Sequence, residues 1–145
     1  MTIYEKISIS ISSIALVVSL LSVIFSKINM NKIEKIYYGQ SELAIRESIT
    51  NAKNKITDIL SNVNNQNNLY TKQCMKVAIE QLLNSYEEAC TKYIDSKIDK
   101  KRFKKTYFNE IKNLVESEEL NQYFNFGSKY DAIKKVYNEW FNLEK

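Results

Sequence analysis

Twenty consecutive residues near the start of the chain, ISISISSIALVVSLLSVIFS from Ile7 to Ser26, carry no charge, glycine or proline and are bracketed by Lys6 and Lys27. Their first half alternates apolar and hydroxyl residues as a half-buried strand does. Ser13 and Ile14 break that period of two, and Leu, Val, Ile and Phe dominate the second half. At about 1.5 Å per residue, a helix of this length reaches roughly 30 Å, the thickness of a bilayer's hydrocarbon core. The stretch therefore predicts a transmembrane helix over 7–26, preceded by a short tail, 1–6. A secretory signal peptide fits less well. The apolar region is long, the residues before it hold one Lys against one Glu, and no A-x-A cleavage pattern comes after it.

On a helix the small residues fall into register. Ser8, Ser12, Ala15, Ser19, Ser22 and Ser26 are separated by 4, 3, 4, 3 and 4 residues, one stripe of a heptad pattern, while the large apolar side chains mostly cover the other faces. Lipid tails give helices no hydrophobic reason to associate. Transmembrane partners meet through small residues that let backbones approach and through hydroxyls that bond across the interface. The stripe predicts self-association. In a dimer or trimer it is a close-packing surface; with four or more copies it lines a narrow aqueous path of hydroxyl dipoles.

Lys6 alone precedes the span, whereas Lys27, Lys32, Lys35 and Arg46 follow it closely, so the carboxyl-terminal side is expected in the cytoplasm and the 1–6 tail outside. The remaining length suits one domain. With Pro 0, Gly 2 and His 0 in 145 residues, hairpin turns lack their usual residues and imidazole chemistry is excluded. The expected fold is all-α: an N-terminal transmembrane helix followed by a cytoplasmic helical bundle with a long first helix. Neither glycine sits in a phosphate-cradling motif, so the chain does not read as an enzyme and implies no cofactor or metal.

Residues 27–68 read as a continuing helix and a turn, with 69–145 forming a helical domain that packs on 40–63. Ile45, Ile49, Ala52, Ile56, Ile59 and Val63 form a second stripe, which suits either a short coiled coil or packing against the chain's own next helix. It is out of register with the serines, and Gly39 is the expected place for a bend or a change of partner. The polar NVNNQNN, 62–68, reads as the reversing turn. A second helix over 69–95 carries Met75, Ile79, Leu82, Tyr86, Ala89 and Tyr93. A third, 100–116, is capped by Asp99 and buries Phe103, Tyr107, Ile111, Leu114 and Val115. An irregular segment, SEELNQYFNFG, leads to a last helix with Tyr130, Ile133, Tyr137, Trp140 and Phe141 on one face and a capping box of Ser128 with Asp131. Cys74 and Cys90, 16 residues apart on one helix, would lie about 24 Å apart and cannot pair.

The densest charge is SKIDKKRFKK, where Lys97, Lys100, Lys101, Arg102, Lys104 and Lys105 face only Asp99. Cations at a helix amino terminus oppose its dipole. Their clustering predicts either a solvated helix start or a site for an anion: an anionic lipid, a nucleotide or an oligonucleotide.

The apolar span ISISISSIALVVSLLSVIFSKIN, the following QSELAIRESITNAKNKI and the helical end KYDAIKKVYNEWFNLEK together resemble the small single-pass membrane effectors of bacterial antiphage defence operons. That resemblance implies the bacterial inner (cell) membrane and a homo-oligomer that opens a pore when a nucleotide signal reaches its cytoplasmic domain. The alternative is a membrane-anchored dimeric tether that recruits a cytoplasmic partner protein without forming a pore. A soluble nucleic-acid binder whose apolar run is a buried core helix is the third expectation.

Overall fold

With no proline and a single glycine before residue 62, little in the early chain interrupts a helix, and α1 runs unbroken from Ile3 to Ser61. The structure, a computed structural model, describes residues 3–62, 69–125 and 127–141, without the side chains of residues 5–13. The turn expected at 62–68 lies outside the described residues beyond Asn62, and Val63 with it. After α1 come α2 (Leu69–Ile94), α3 (Lys100–Glu116), a 3-10 helix (Glu118–Tyr123) and α4 (Asp131–Phe141). The chain is all-helical, with no strand among the described residues.

The chain divides into two compact units, Met1–Tyr37 and Tyr38–Lys145. The first consists of the early part of α1. Leu16, Val17, Leu20, Val23, Ile24 and Phe25 are 52–67% exposed, and none of the apolar stretch from Ile14 on is covered by the chain itself. The boundary falls beside Gly39, where a change of partner was expected. α1 continues through that glycine, and a Cβ there would meet nothing within 4 Å.

The second unit holds the core. Ile45, Ile49 and Ala52 are buried, Ile56 and Ile59 half-buried, so this stripe of α1 packs within its own chain. Two polar contacts align it with α2: Ser48 Oγ with Ser85 Oγ at 2.8 Å, and Lys55 Nζ to Gln81 Oε1 at 2.9 Å. On α2 the stripe is wider than the 4–3 spacing suggested. Ala78, Leu83 and Cys90 are buried beside Tyr86, Ala89 and Tyr93, because α2 packs against both α3 and α4. From α3 and α4 come Phe103, Tyr107, Ile111, Ile133, Val136 and Trp140. Each aliphatic member buried here contributes roughly 1.5–3 kcal/mol. The aromatic centre adds geometry: Tyr93 meets Trp140 edge-on at 5.4 Å, and Phe103 lies 4.9 Å from Tyr107.

Each turn after α2 has a local or a distant cause. α2 ends in a Schellman-type closure: Ser96 N–H bonds Tyr93 O at 3.1 Å and Lys97 N–H bonds Lys92 O at 2.9 Å, with Ser96 left-handed at φ 56°. Three residues on, Asp99 Oδ1 accepts from Lys101 N–H at 3.0 Å and Arg102 N–H at 3.1 Å and starts α3, as expected from sequence. EELNQY, Glu118–Tyr123, forms a 3-10 helix where irregular chain was expected. The Ser128–Asp131 capping box does not form. Ser128 Oγ accepts instead from Tyr130 N–H at 3.0 Å, and the first turn of α4 is capped by a carboxylate from α2: Ala132 and Ile133 N–H donate to Glu87 at 2.8 and 3.0 Å.

Burial and neighbouring carboxylates set the core's alkaline limit. Desolvation first, then the Glu110 carboxylate that accepts its proton, push the Tyr86 hydroxyl far above its usual 10.0. Burial and Glu139 raise Tyr93, burial and the Glu110 charge raise Tyr107, and burial raises the Cys90 thiol far above 9.0. These groups hold their protons more tightly folded than unfolded. Their contribution is complete below the unfolded values and is lost as pH rises past about 9–10. Circular dichroism followed with tyrosinate absorbance should show Tyr86, Tyr93 and Tyr107 ionising together with loss of helicity. Their ionisation in a fully helical protein would contradict the packing described.

Candidate functional site

Two features carry the functional argument: the exposed apolar helix of the first unit and the basic start of α3 in the second. On the first, Ala15, Ser19, Ser22 and Ser26 are all solvent-facing. Ser8 and Ser12 lie on helical backbone, with side chains outside the described set. Ser22 Oγ donates to Val18 O at 2.9 Å, so this hydroxyl is satisfied within its own helix and its oxygen lone pairs remain able to accept from a neighbour.

At the start of α3 the six basic residues, Lys97 before the helix and the other five on it, do not form one uniform patch. Lys97 pairs with Asp95 at 2.9 Å, and Arg102 with Glu42 of α1 at 2.9 Å. Lys100 sits over the Tyr93 ring at 5.0 Å, and Lys104 over Trp140 and Phe108 at 5.7 and 5.8 Å. Ring faces carry negative potential, so these contacts offset part of the unfavourable dipole field. Lys101 and Lys105, one turn apart, face solvent with no ion pair among the described residues.

Glu42 was not foreseen. It stands three residues before Ile45 and so extends the buried stripe of α1 by one step, a signal readable in hindsight. One oxygen holds Arg102; the other, Oε1, is buried without a hydrogen-bond partner among the described residues. Both border a small cavity, about 30 Å³, lined also by Arg46, Thr106 and Tyr107. Farther along α1, Lys53 pairs with Glu110 at 3.1 Å, the carboxylate that also accepts from Tyr86.

Where the end of α1 faces the start of α2, an apolar groove of about 270 Å³ is lined by Lys55, Ile59, Tyr70, Gln73, Cys74 and Val77. The Cys74 thiol, by hydrogen bonding there, raises the Tyr70 hydroxyl above its usual 10.0. Both cysteines are free and lie on α2. A maleimide should therefore modify Cys74 in the native protein and Cys90 only after denaturation, seen by mass spectrometry as one adduct and then two. Two adducts on the native protein would place Cys90 outside the core. Among the described residues no three His, Cys, Asp or Glu side chains come together as a metal site.

Comparison with family models, with curated proteins and with solved structures finds no match to this chain.

Proposed function

We propose that the chain is a single-pass membrane protein that self-associates through its serine stripe, with the helical unit in the cytoplasm. In four or more copies the stripe lines a pore. The observation that carries this reading is the apolar helix left uncovered on all its faces while the second unit completes its own core. An apolar helix of that length in water is costly, and a bilayer is the solvent that removes the cost. The same observation counts against a soluble nucleic-acid binder, whose apolar run would be covered by its own chain.

The gate we propose is Arg102. It belongs to the basic start of α3 yet is held by Glu42 on α1, the helix that also carries the apolar stretch. A phosphate arriving at Lys101, Arg102 and Lys105 competes with Glu42 for the guanidinium and so loosens α3 from α1. Switching a population from mostly closed to mostly open requires the anion to favour the open form by about 5.5 kcal/mol. Antiphage defence, with a nucleotide as the signal, is the setting that the architectural likeness suggests. A dimeric tether for a cytoplasmic partner is the second reading, favoured by the self-satisfied Ser22 and by four of the six cations already being engaged within the domain.

Oligomer mass in detergent together with conductance in planar bilayers, with and without nucleotides, tests both. Four or more copies with nucleotide-dependent current support the pore; two copies without current select the tether. Arg102→Ala should abolish the nucleotide response, and an intact response removes Arg102 as the gate.

A further inference from the structure

The basic residues of α3 that remain outward join an aromatic seam shared with α4. Lys101 and Lys105, both exposed, and the half-buried Lys112 are separated by 4 and 7 residues, and the eleven from first to last make just over three helical turns, so they share one stripe. Beside it runs Phe108, half-buried, whose ring lies 4.5 Å from Phe141 of α4; Phe141 lies 4.8 Å from Tyr137. Lysines cover this seam: Lys104 over Phe108, and Lys112 over Phe141 at 5.8 Å. At its far end Glu116 accepts the Tyr137 hydroxyl at 2.8 Å. The face is thus four lysines set around a half-buried aromatic strip with one carboxylate at its edge.

We infer that the α3–α4 face formed by Lys101, Lys104, Lys105 and Lys112 around Phe108 and Phe141 docks on anionic phospholipid headgroups. This rests on the chain being a membrane protein, and names a second, peripheral contact of its helical unit with the bilayer. Charge complementarity selects the occupant. Lysines along one helix face match a diffuse layer of phosphates, and aromatic rings beside them suit the headgroup boundary. A single-stranded nucleic acid needs free ring faces on which bases can stack. Here Phe108 is occupied by Lys104 and by Trp140, whose ring is stacked 6.0 Å away, and Phe141 is flanked by Lys112, Phe108 and Tyr137. Once the apolar helix is inserted, contact of the same chain with that bilayer is intramolecular, so a modest attraction suffices.

The test uses the full chain in nanodiscs, either zwitterionic phosphatidylcholine alone or the same with phosphatidylglycerol, and reads amine acylation residue by residue by mass spectrometry. Acylation of Lys101, Lys105 and Lys112 should fall at least about threefold in the anionic discs and recover at high salt, while Lys72 and Lys76 on α2 change little. Equal rates in both discs overturn the inference although the chain has inserted. Failure to enter discs of either kind overturns the membrane proposal itself, and this inference with it. Inorganic phosphate or a short oligonucleotide added to zwitterionic discs should leave Lys112, ten residues beyond Arg102 on α3, unprotected; protection of Lys112 as strong as in anionic discs would assign the face to a soluble anion and overturn the lipid. In the variant K101E/K105E/K112E, Lys104 should lose its lipid-dependent protection while Trp140, the single tryptophan, keeps its emission as proof of folding. Undiminished protection of Lys104 would likewise overturn it.

Discussion

Replacing Ser12, Ser19 and Ser22 by leucine should collapse the detergent-solubilised assembly towards single copies. Leucine raises the apolarity of the span, so insertion is retained or improved and only helix-to-helix approach is damaged. Each small-residue or hydroxyl contact between membrane helices contributes about 0.6 kcal/mol on average and at most about 1.7. Losing three at one interface therefore weakens association by about 2–5 kcal/mol, or about 30- to 4,000-fold. Ser19 and Ser22 are uncovered within the chain, so their substitution leaves the helical unit untouched. Val17→Ile with Ile24→Val, on the opposite side of the same helix, is the control that should keep the mass. Sedimentation in detergent reads the outcome. An unchanged mass in the triple-leucine variant would show that the stripe is not the contact surface, and the pore and the dimer would both lose their basis.

Glu87→Ala should cost the helical unit more than any other surface-acid substitution. The Glu87 carboxylate accepts from two first-turn N–H groups of α4, Ala132 at 2.8 Å and Ile133 at 3.0 Å. Those donors have no partner within α4, and hydrogen bonds to a charged group contribute about 1.5–3 kcal/mol each, reinforced by the helix dipole. Because both bonds share one carboxylate, about 3 kcal/mol is the expected loss, which for a domain of about 100 residues lowers Tm by roughly 12–20 °C. Glu87→Gln keeps an acceptor without charge and should lose about half as much. The neighbouring Glu88→Ala breaks only an exposed pair with Lys92 at 2.8 Å and should cost less than about 0.5 kcal/mol. Thermal melts followed by Trp140 fluorescence separate the three. A Glu87→Ala melt no lower than that of Glu88→Ala would mean that α4 is held by its apolar face alone.

Which features were legible in the sequence depends on the range over which they act. α3 was readable to its ends because its cap, Asp99, is adjacent and its buried residues recur at helical spacing. α2 was readable because its apolar stripe is long, although its second buried edge, Ala78, Leu83 and Cys90, depends on α2 being packed from two sides. The start of α4 was misassigned. Ser128 and Asp131 have the spacing of a local cap, but the acceptor that wins lies on α2, 45 residues earlier, where it looks like any surface glutamate.

The basic cluster divides the same way. Its existence is plain in the residues, and so is the electrostatic conflict with the start of a helix. How that conflict is resolved, with Lys100 and Lys104 laid on aromatic faces and Arg102 held by Glu42, required knowing which rings and which acid stand opposite.

Local pattern alone determined that the described residues fold as helices with no strand, that an uncharged apolar stretch of twenty residues lies in the first of them, and that six of its small residues recur at heptad spacing. Periodicity and capping act within a few residues, so they can be read along the chain. Tertiary structure alone decided that the α1 stripe is consumed inside its own bundle and that Glu87 and Glu42 act as fixed partners. It also decided which lysines remain outward. An ion or carboxylate is equally stable in water until the fold brings a partner to it, so no neighbour in sequence announces its role.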